Sequence, residues 1–480
     1  MRKLRPVPSF AALMSTNSSF LSAPWPARWR VLAVLALYAA YLPLSGYSVS
    51  QFRFDAAEYW ELSLKFTQNG RISLLAFDAP LRGYLGPLLV LPARLLCHFT
   101  GWSMLTGARV LGAGWAAVLF GIAVPQLWAQ ATGRALSGGR WLGLLGLSFI
   151  FWRDYFNFTL SDMPALALLL LGIAALARRG WYWTAVAGLL LAAAINIRPI
   201  YLASAPGLLW LLLRNSQPVS NPAIWRRGAA LVAGLALVWL PQLLINRRYF
   251  QTPTPLVLAR LPGTAPLYLK QLTWGTAFQR YESSLVPEIP RSLVYADSAG
   301  QRALAGEPAH RFDRYGQYVQ FALRHPAATS GRYLRHLFNG LDIRFPTPYP
   351  RQLHPPGQAV LRLLNYALLG LGAWLALSAW RRNWQAAREP VAVGTLLALL
   401  LPCLFVLPTL IETRFLLPLH LLVLLTVAGT WQPVAWWRAL GPPVRRVAAV
   451  ALATGWLWSC WHLSEATAGQ LRPPSEAPQE

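Results

Sequence analysis

Long apolar runs, separated by short basic or turn-rich segments, repeat along the whole chain. They predict helices at residues 31–48, 105–130, 141–156, 163–177, 182–197, 200–213, 229–245, 358–380, 391–410, 415–431 and 444–461. Most approach the roughly 20 residues needed to cross about 30 Å of hydrocarbon. No stretch alternates with the period-two pattern of a membrane barrel, so helices must be the spanning element. The pattern therefore reads as an all-α polytopic membrane protein with about eleven transmembrane helices.

One further apolar run, GYLGPLLVLPARLLCHF at 83–99, is interrupted by Pro87, Pro92 and Arg94. It is read as a re-entrant or interface-lying helix and left out of the span count. With a cytoplasmic N-terminus, the clusters Arg134/Arg140, Arg178/Arg179, Arg214/Arg226/Arg227, Arg381/Arg382/Arg388 and Arg438/Arg445/Arg446 then all fall inside, as positively charged loops do. Of the 17 acids only Glu389 falls inside. Any carboxylate chemistry is thereby expected on the periplasmic face.

These boundaries divide the chain. Residues 1–29 form a basic cytoplasmic N-terminus, read with the first span as a retained signal anchor. A membrane module at 30–245 contains a first outer loop at 49–104. The one long hydrophilic segment, 246–357, is expected to be a periplasmic subdomain with turns at QTPTP, LPGTAP and FPTPYP around a helical middle. Helices at 358–462 complete the membrane part, and a polar tail at 463–480 is expected to be disordered.

Composition agrees: 55% of residues are hydrophobic and 12% charged, with a mean hydropathy of +0.38. The formal charge of +26 would suggest nucleic acid in a soluble protein. Here the arginines sit between apolar runs, which points to membrane topology and contact with anionic lipid or phosphate, not to nucleic acid. Cys97, Cys403 and Cys460 form no CxxC pair, and the seven His show no HExxH spacing. Neither a disulfide framework nor a structural metal is indicated. Arg247, Arg248, His310, His325, His336 and His354 read as a solvated face.

Three stretches can carry chemistry. In FRFDAAEYWELSLKF, Asp55 and Glu58 share a helix face, and Tyr59, Leu62, Leu64 and Phe66 suit an amphipathic helix on the outer surface; Glu61 reads as solvated. The same Asp-x-x-Glu also fits a capping box. In TLSDMPALALLLLG, Asp162 is placed to cap an apolar helix with Pro164 in its first turn. In LPTLIETRFLLPLH, Arg414 beside Glu412 is either an interfacial anchor or a planar fork for phosphate. Arg198 in INIRPIY and Arg82 in PLRGYLG are further phosphate candidates.

Taken in order, these motifs resemble the GT-C membrane glycosyltransferases. The similarity is to the protein-mannosyltransferase and aminoarabinose-transferase superfamily, especially its bacterial lipopolysaccharide-modifying branch. It rests on Asp55, Glu58 and Tyr59 followed by Asn69 and Gly70, and on Pro80, Tyr84, Pro87, Leu88 and Leu89 in the re-entrant helix. Arg109, the Ser161-Asp162-x-Pro164 step, Arg198-Pro199 and the ETRFLLPL segment complete it. Family members often pair Asp and Glu directly, whereas Ala56 and Ala57 stand between Asp55 and Glu58 here.

The resemblance implies transfer of a monosaccharide from a polyprenyl-phosphate donor to a hydroxyl, with inversion, at the periplasmic face of the bacterial inner membrane. The acceptor would be lipid A, core polysaccharide, another glycan or a protein. Asp55 would be the base, while Arg414, with Arg198 or Arg82, would hold the departing phosphate. Asp162 would orient the acceptor or, with Asp55, hold a divalent cation (Mg or Mn), although no cofactor is required. Two rival readings differ in what they need. An O-antigen polymerase or ligase would carry its key residues in 246–357, and a lipid or sugar transporter would need ionisable groups near the bilayer midplane.

Overall fold

A computed structural model describes residues 21–68, 70–214, 221–260, 263–307, 310–382, 389–439 and 441–472. Asn69, Arg388 and the basic segment before Leu21 lie outside them. The chain is about 74% helical. Its helices are α1 (Ala27–Leu44), α2 (Phe54–Leu62), α3 (Leu85–Thr100), α4 (Met104–Ala116), α5 (Val124–Thr132), α6 (Gly138–Trp152), α7 (Asp162–Leu176), α8 (Trp181–Ile197), α9 (Ala205–Arg214) and α10 (Asn221–Phe250). After these come α11 (Leu267–Ala277), α12 (Ser298–Ala305), α13 (Tyr315–Arg324), α14 (Pro326–Leu341), α15 (Gln358–Arg382), α16 (Pro390–Val406), α17 (Leu417–Thr430), α18 (Pro433–Ala439) and α19 (Pro443–Ala468).

Each predicted apolar run centres on a helix. Among the described residues, five helices are long and apolar enough to cross a membrane: Ala27–Leu44, Met104–Thr132, Ile224–Phe250, Gln358–Arg381 and Thr413–Thr430. The second of these joins α4 to α5 through a π-helical stretch, Ala117–Ala123. Shorter apolar helices pack with them, including Leu85–Thr100, whose Pro87 and Pro92 do not break it. α7 is apolar all round and almost wholly buried, as a helix without a polar face must be. α8 and α10 cross closely at Gly188 and Gly234, where a Cβ on either would strike the other helix's backbone.

The hydrophilic segment holds more than helices. β3 (Phe278–Ser284) and β4 (Arg291–Ala296) form an antiparallel hairpin, and β5 (Leu471–Arg472) adds to the edge of β4. A short ribbon of β1 (Thr67–Gln68) and β2 (Arg71–Ile72) follows α2. β3 was not legible as a strand because it is buried on both faces and carries polar residues throughout. The C-terminal boundary also needs correction. Residues 463–468, expected in a disordered tail, continue α19, and Leu471 and Arg472 pair with Tyr295 and Val294. That edge offers the backbone hydrogen bonds a polar tail can take up. Residues 473–480 lie outside the described part.

The subdomain is seated on the loop between α16 and α17. Tyr281 donates its N–H to Ile411 O (2.9 Å) and Leu410 donates to Gln271 O (3.1 Å). Gly275 of α11 lies so close to Thr409 that a Cβ would collide with its backbone. One histidine expected on a solvated face does not lie there. His336 is fully buried, with Nδ1 2.6 Å from Leu407 O, because α14 turns that face onto the same loop.

Candidate functional site

Residues far apart in sequence meet at one end of the bundle. Arg82 places Nη2 2.7 Å from Asp55 Oδ1 and 2.6 Å from Glu58 Oε2, with Nε also donating to Glu58. Arg414 reaches the opposite oxygen of Asp55, 2.8 Å from Nη1 to Oδ2. Its other edge grips Glu412 at 2.6 and 3.2 Å, and Nη1 lies 3.8 Å from Asp162 Oδ2. Arg198 pairs with Asp162. Four carboxylates and three guanidiniums thus form one continuous chain.

Local structure sets each of these positions. Asp55 and Glu58 do not build the capping box their spacing allowed: α2 is capped at Arg53 without a side-chain bond. Instead Ala56 donates its N–H to the Tyr349 hydroxyl (3.3 Å), while the Thr159 hydroxyl donates to Ala56 O (2.7 Å). Phe54, immediately before Asp55, adopts a left-handed φ of +56°. For a bulky residue this costs of order 1 kcal/mol and survives only where the surroundings enforce it. Its ring rests on Tyr349.

Asp162 is likewise not the helix cap. It lies one residue inside α7, and the preceding Ser161 makes no capping bond. The Asp162 carboxylate is 1% exposed and faces the guanidiniums of Arg198 and Arg414. Arg414 is not an interfacial anchor, since only 11% of its side chain is exposed and its charge is taken up by carboxylates. The guanidinium of Arg82 lies over the buried Tyr59 ring, and those of Arg198 and Arg414 over Phe415.

The structure brings together Asp55, Glu58, Tyr59, Arg82, Asp162, Arg198, Glu412 and Arg414. It does not bring in Tyr84, whose hydroxyl donates to Val238 O in a separate apolar cluster. Arg109 also stays outside, bonded to Asn157, Ser45 and the Tyr47 carbonyl. Glu61 is solvent-facing, as expected. Sequence reasoning missed Tyr349, Glu282, Arg280 and Thr413. The Glu282 carboxylate accepts from the Thr413 hydroxyl and from Arg280. No pattern in the sequence pairs residue 282 with residue 413, because the link exists only after the subdomain docks.

Comparison of this chain with protein-family models, with curated proteins and with solved structures finds no match in any of the three.

Burial favours the neutral form of Asp55, but the guanidiniums of Arg82 and Arg414 outweigh it and hold the carboxyl well below the usual carboxylate range. For Glu412 burial wins over Arg414, and its carboxyl is raised. A divalent cation bridging Asp55 and Asp162 does not fit while Arg414 Nη1 occupies the space between them. A narrow cavity of about 30 Å³ lies beside the cluster, lined by Tyr59, Leu89, Trp115, Tyr155, Met163 and Pro164 among others.

The Asp55 shift has a measurable sign. A carboxyl depressed on folding stabilises the protein above its unfolded value, about 3.9, and loses that contribution as pH falls toward the folded value. The wild type is expected to melt higher than Asp55→Asn by a constant margin between pH 5 and 8, with the margin shrinking below about pH 4. A margin unchanged down to pH 3 in detergent thermal melts would show that the two arginines do not hold this carboxyl low.

Proposed function

We propose that this chain is an integral-membrane glycosyltransferase of GT-C type, with about eleven spans. In this reading it moves a monosaccharide from a polyprenyl-phosphate donor to an acceptor hydroxyl on the periplasmic side of a bacterial inner membrane. The observation that carries the proposal is the meeting of Asp55 and Asp162 with Arg82, Arg198 and Arg414. A candidate base and a set of phosphate-binding forks share one part-buried layer at the end of apolar helices.

The reaction follows from those groups. Asp55 takes the proton of the acceptor hydroxyl as its oxygen forms a bond to the anomeric carbon. The bond from that carbon to the phosphate oxygen breaks on the opposite face, which inverts the configuration. The electron pair leaves on polyprenyl phosphate, a stable anion, so no general acid is needed. Guanidiniums already in place stabilise the charge that develops there.

In the resting arrangement Asp55 is a weak base, because two arginines neutralise it. An incoming phosphate competes for the same donors, and each donor it takes returns basicity to Asp55. Asp162 then orients the acceptor.

Mass spectrometry of lipid A, core polysaccharide and periplasmic proteins, comparing a deletion strain with its parent, tests the reading. Loss of one defined sugar identifies both sugar and acceptor. An unaltered glycan and protein profile would sink the proposal, and loss of polymer length alone would favour the polymerase reading.

A further inference from the structure

The hydrophilic segment supplies a buried polar chain that ends on the turn carrying Arg414. Arg280 and Glu282, two apart on β3, point to the same face of the strand. Arg280 is fully buried, pairing with Glu282 at 3.0 Å and with Asp342 at 3.1 Å. The Thr413 hydroxyl closes the near end, donating to Glu282 and accepting from Arg280 Nη2 at 3.4 Å. At the far end Asp342 accepts from the hydroxyls of Tyr366 on α15 (2.8 Å) and Ser464 on α19 (2.6 Å). Thr413 stands between Glu412 and Arg414 in the chain.

We propose that Glu282, Arg280 and Thr413 are positioning residues that set where the Arg414 guanidinium lies. The inference rests on the reading of Arg414 as a phosphate contact. Buried ion pairs are poor sources of net stability, but they fix geometry, because each partner has few acceptable places for its charge. The backbone at 409–413 is already tied to the subdomain by Tyr281, Gln271 and Gly275, which fixes its height above the helices. The Thr413 hydroxyl then fixes the rotation of the turn. A rotation of the turn that carried the Arg414 backbone toward or away from Asp55 would break the Thr413 bond to Glu282. A displacement of about 1 Å at such a group can cost 10²-fold. The subdomain is therefore a part of the phosphate site, not only a cover over it.

The test uses the full-length protein in nanodiscs, with undecaprenyl phosphate as the probe and undecaprenol, which lacks the phosphate, as the control. Thr413→Val keeps the side-chain volume and leaves the Arg280, Glu282 and Asp342 pairing intact. It is expected to weaken undecaprenyl phosphate binding about tenfold, the worth of one hydrogen bond to a charged group, with undecaprenol binding unchanged. Thr413→Ser, which keeps the hydroxyl, is expected to restore it, and Glu282→Gln to weaken it in the same direction. Added to Arg414→Ala, Thr413→Val should have no further effect, because it acts only through that arginine.

Phosphate-specific affinity retained in folded Thr413→Val and Glu282→Gln, while Arg414→Ala loses it, overturns the positioning role and leaves the reading of Arg414 standing. Affinity retained in Arg414→Ala itself overturns both. Should Glu282→Gln fail to fold, Thr413→Val carries the decision alone.

Discussion

Replacing Arg414 with alanine is expected to produce the largest loss of any single substitution. Its guanidinium touches Asp55 and Glu412 directly and lies 3.8 Å from Asp162, with 11% of the side chain exposed. Alanine leaves Glu412 buried without a cation and Asp55 with Arg82 alone. Removing one partner of a buried pair costs about 3 kcal/mol or more, so the melting temperature should fall. Transfer from a polyprenyl-phosphate sugar should fall further, by about 10²- to 10³-fold, the effect of deleting one preorganised donor to a developing anion. Arg414→Lys separates the two effects. It keeps the charge and most of the stability but loses the planar fork, so rate should drop while the melting temperature largely holds. A lysine variant with full transfer would mean that the fork is not used.

Asp55→Asn is expected to lower the transfer rate by about 10²- to 10⁴-fold in a folded, membrane-inserted protein. Asparagine keeps the shape, Arg82 retains Glu58, and Arg414 retains Glu412, so the fold has reason to survive. Glu58→Gln supplies the contrast. Glu58 meets Arg82 but not Arg414, so its loss should shift affinity for the donor more than turnover. Transfer unchanged in Asp55→Asn would remove the proposed base and return attention to residues 246–357, where the polymerase reading would keep its key groups.

Part of the site was legible before folding because composition isolates it. In a chain with 12% charged residues, acids and arginines at the ends of apolar runs stand out, and Asp55, Glu58, Arg82, Asp162, Arg198, Glu412 and Arg414 were all picked out that way. Local rules alone could not choose among their roles. Spacing left Asp55, Glu58 and Asp162 open between capping backbone N–H groups and chemistry, and position near a predicted span allowed Arg414 to be an anchor. Arginines from distant segments outcompeted both assignments, because a charge-assisted pair in a part-buried layer is stronger than a cap exposed to water. Tyr84, named only for its place in the re-entrant motif and given no chemical role, packs apart from the cluster. Its aromatic ring is worth more in an apolar cluster than at a polar site.

The sequence alone determined where the apolar helices are, since apolar runs have no alternative that satisfies their backbone in hydrocarbon. It also determined which residues were free for chemistry. Only the tertiary structure decided which carboxylate faces which arginine, that β3 is a buried strand, and that residues 280 and 282 reach the turn at 413. Those pairings span up to several hundred residues and carry no periodicity. They are selected when buried charges are forced to find partners, and that happens only once the helices and the hydrophilic segment have packed.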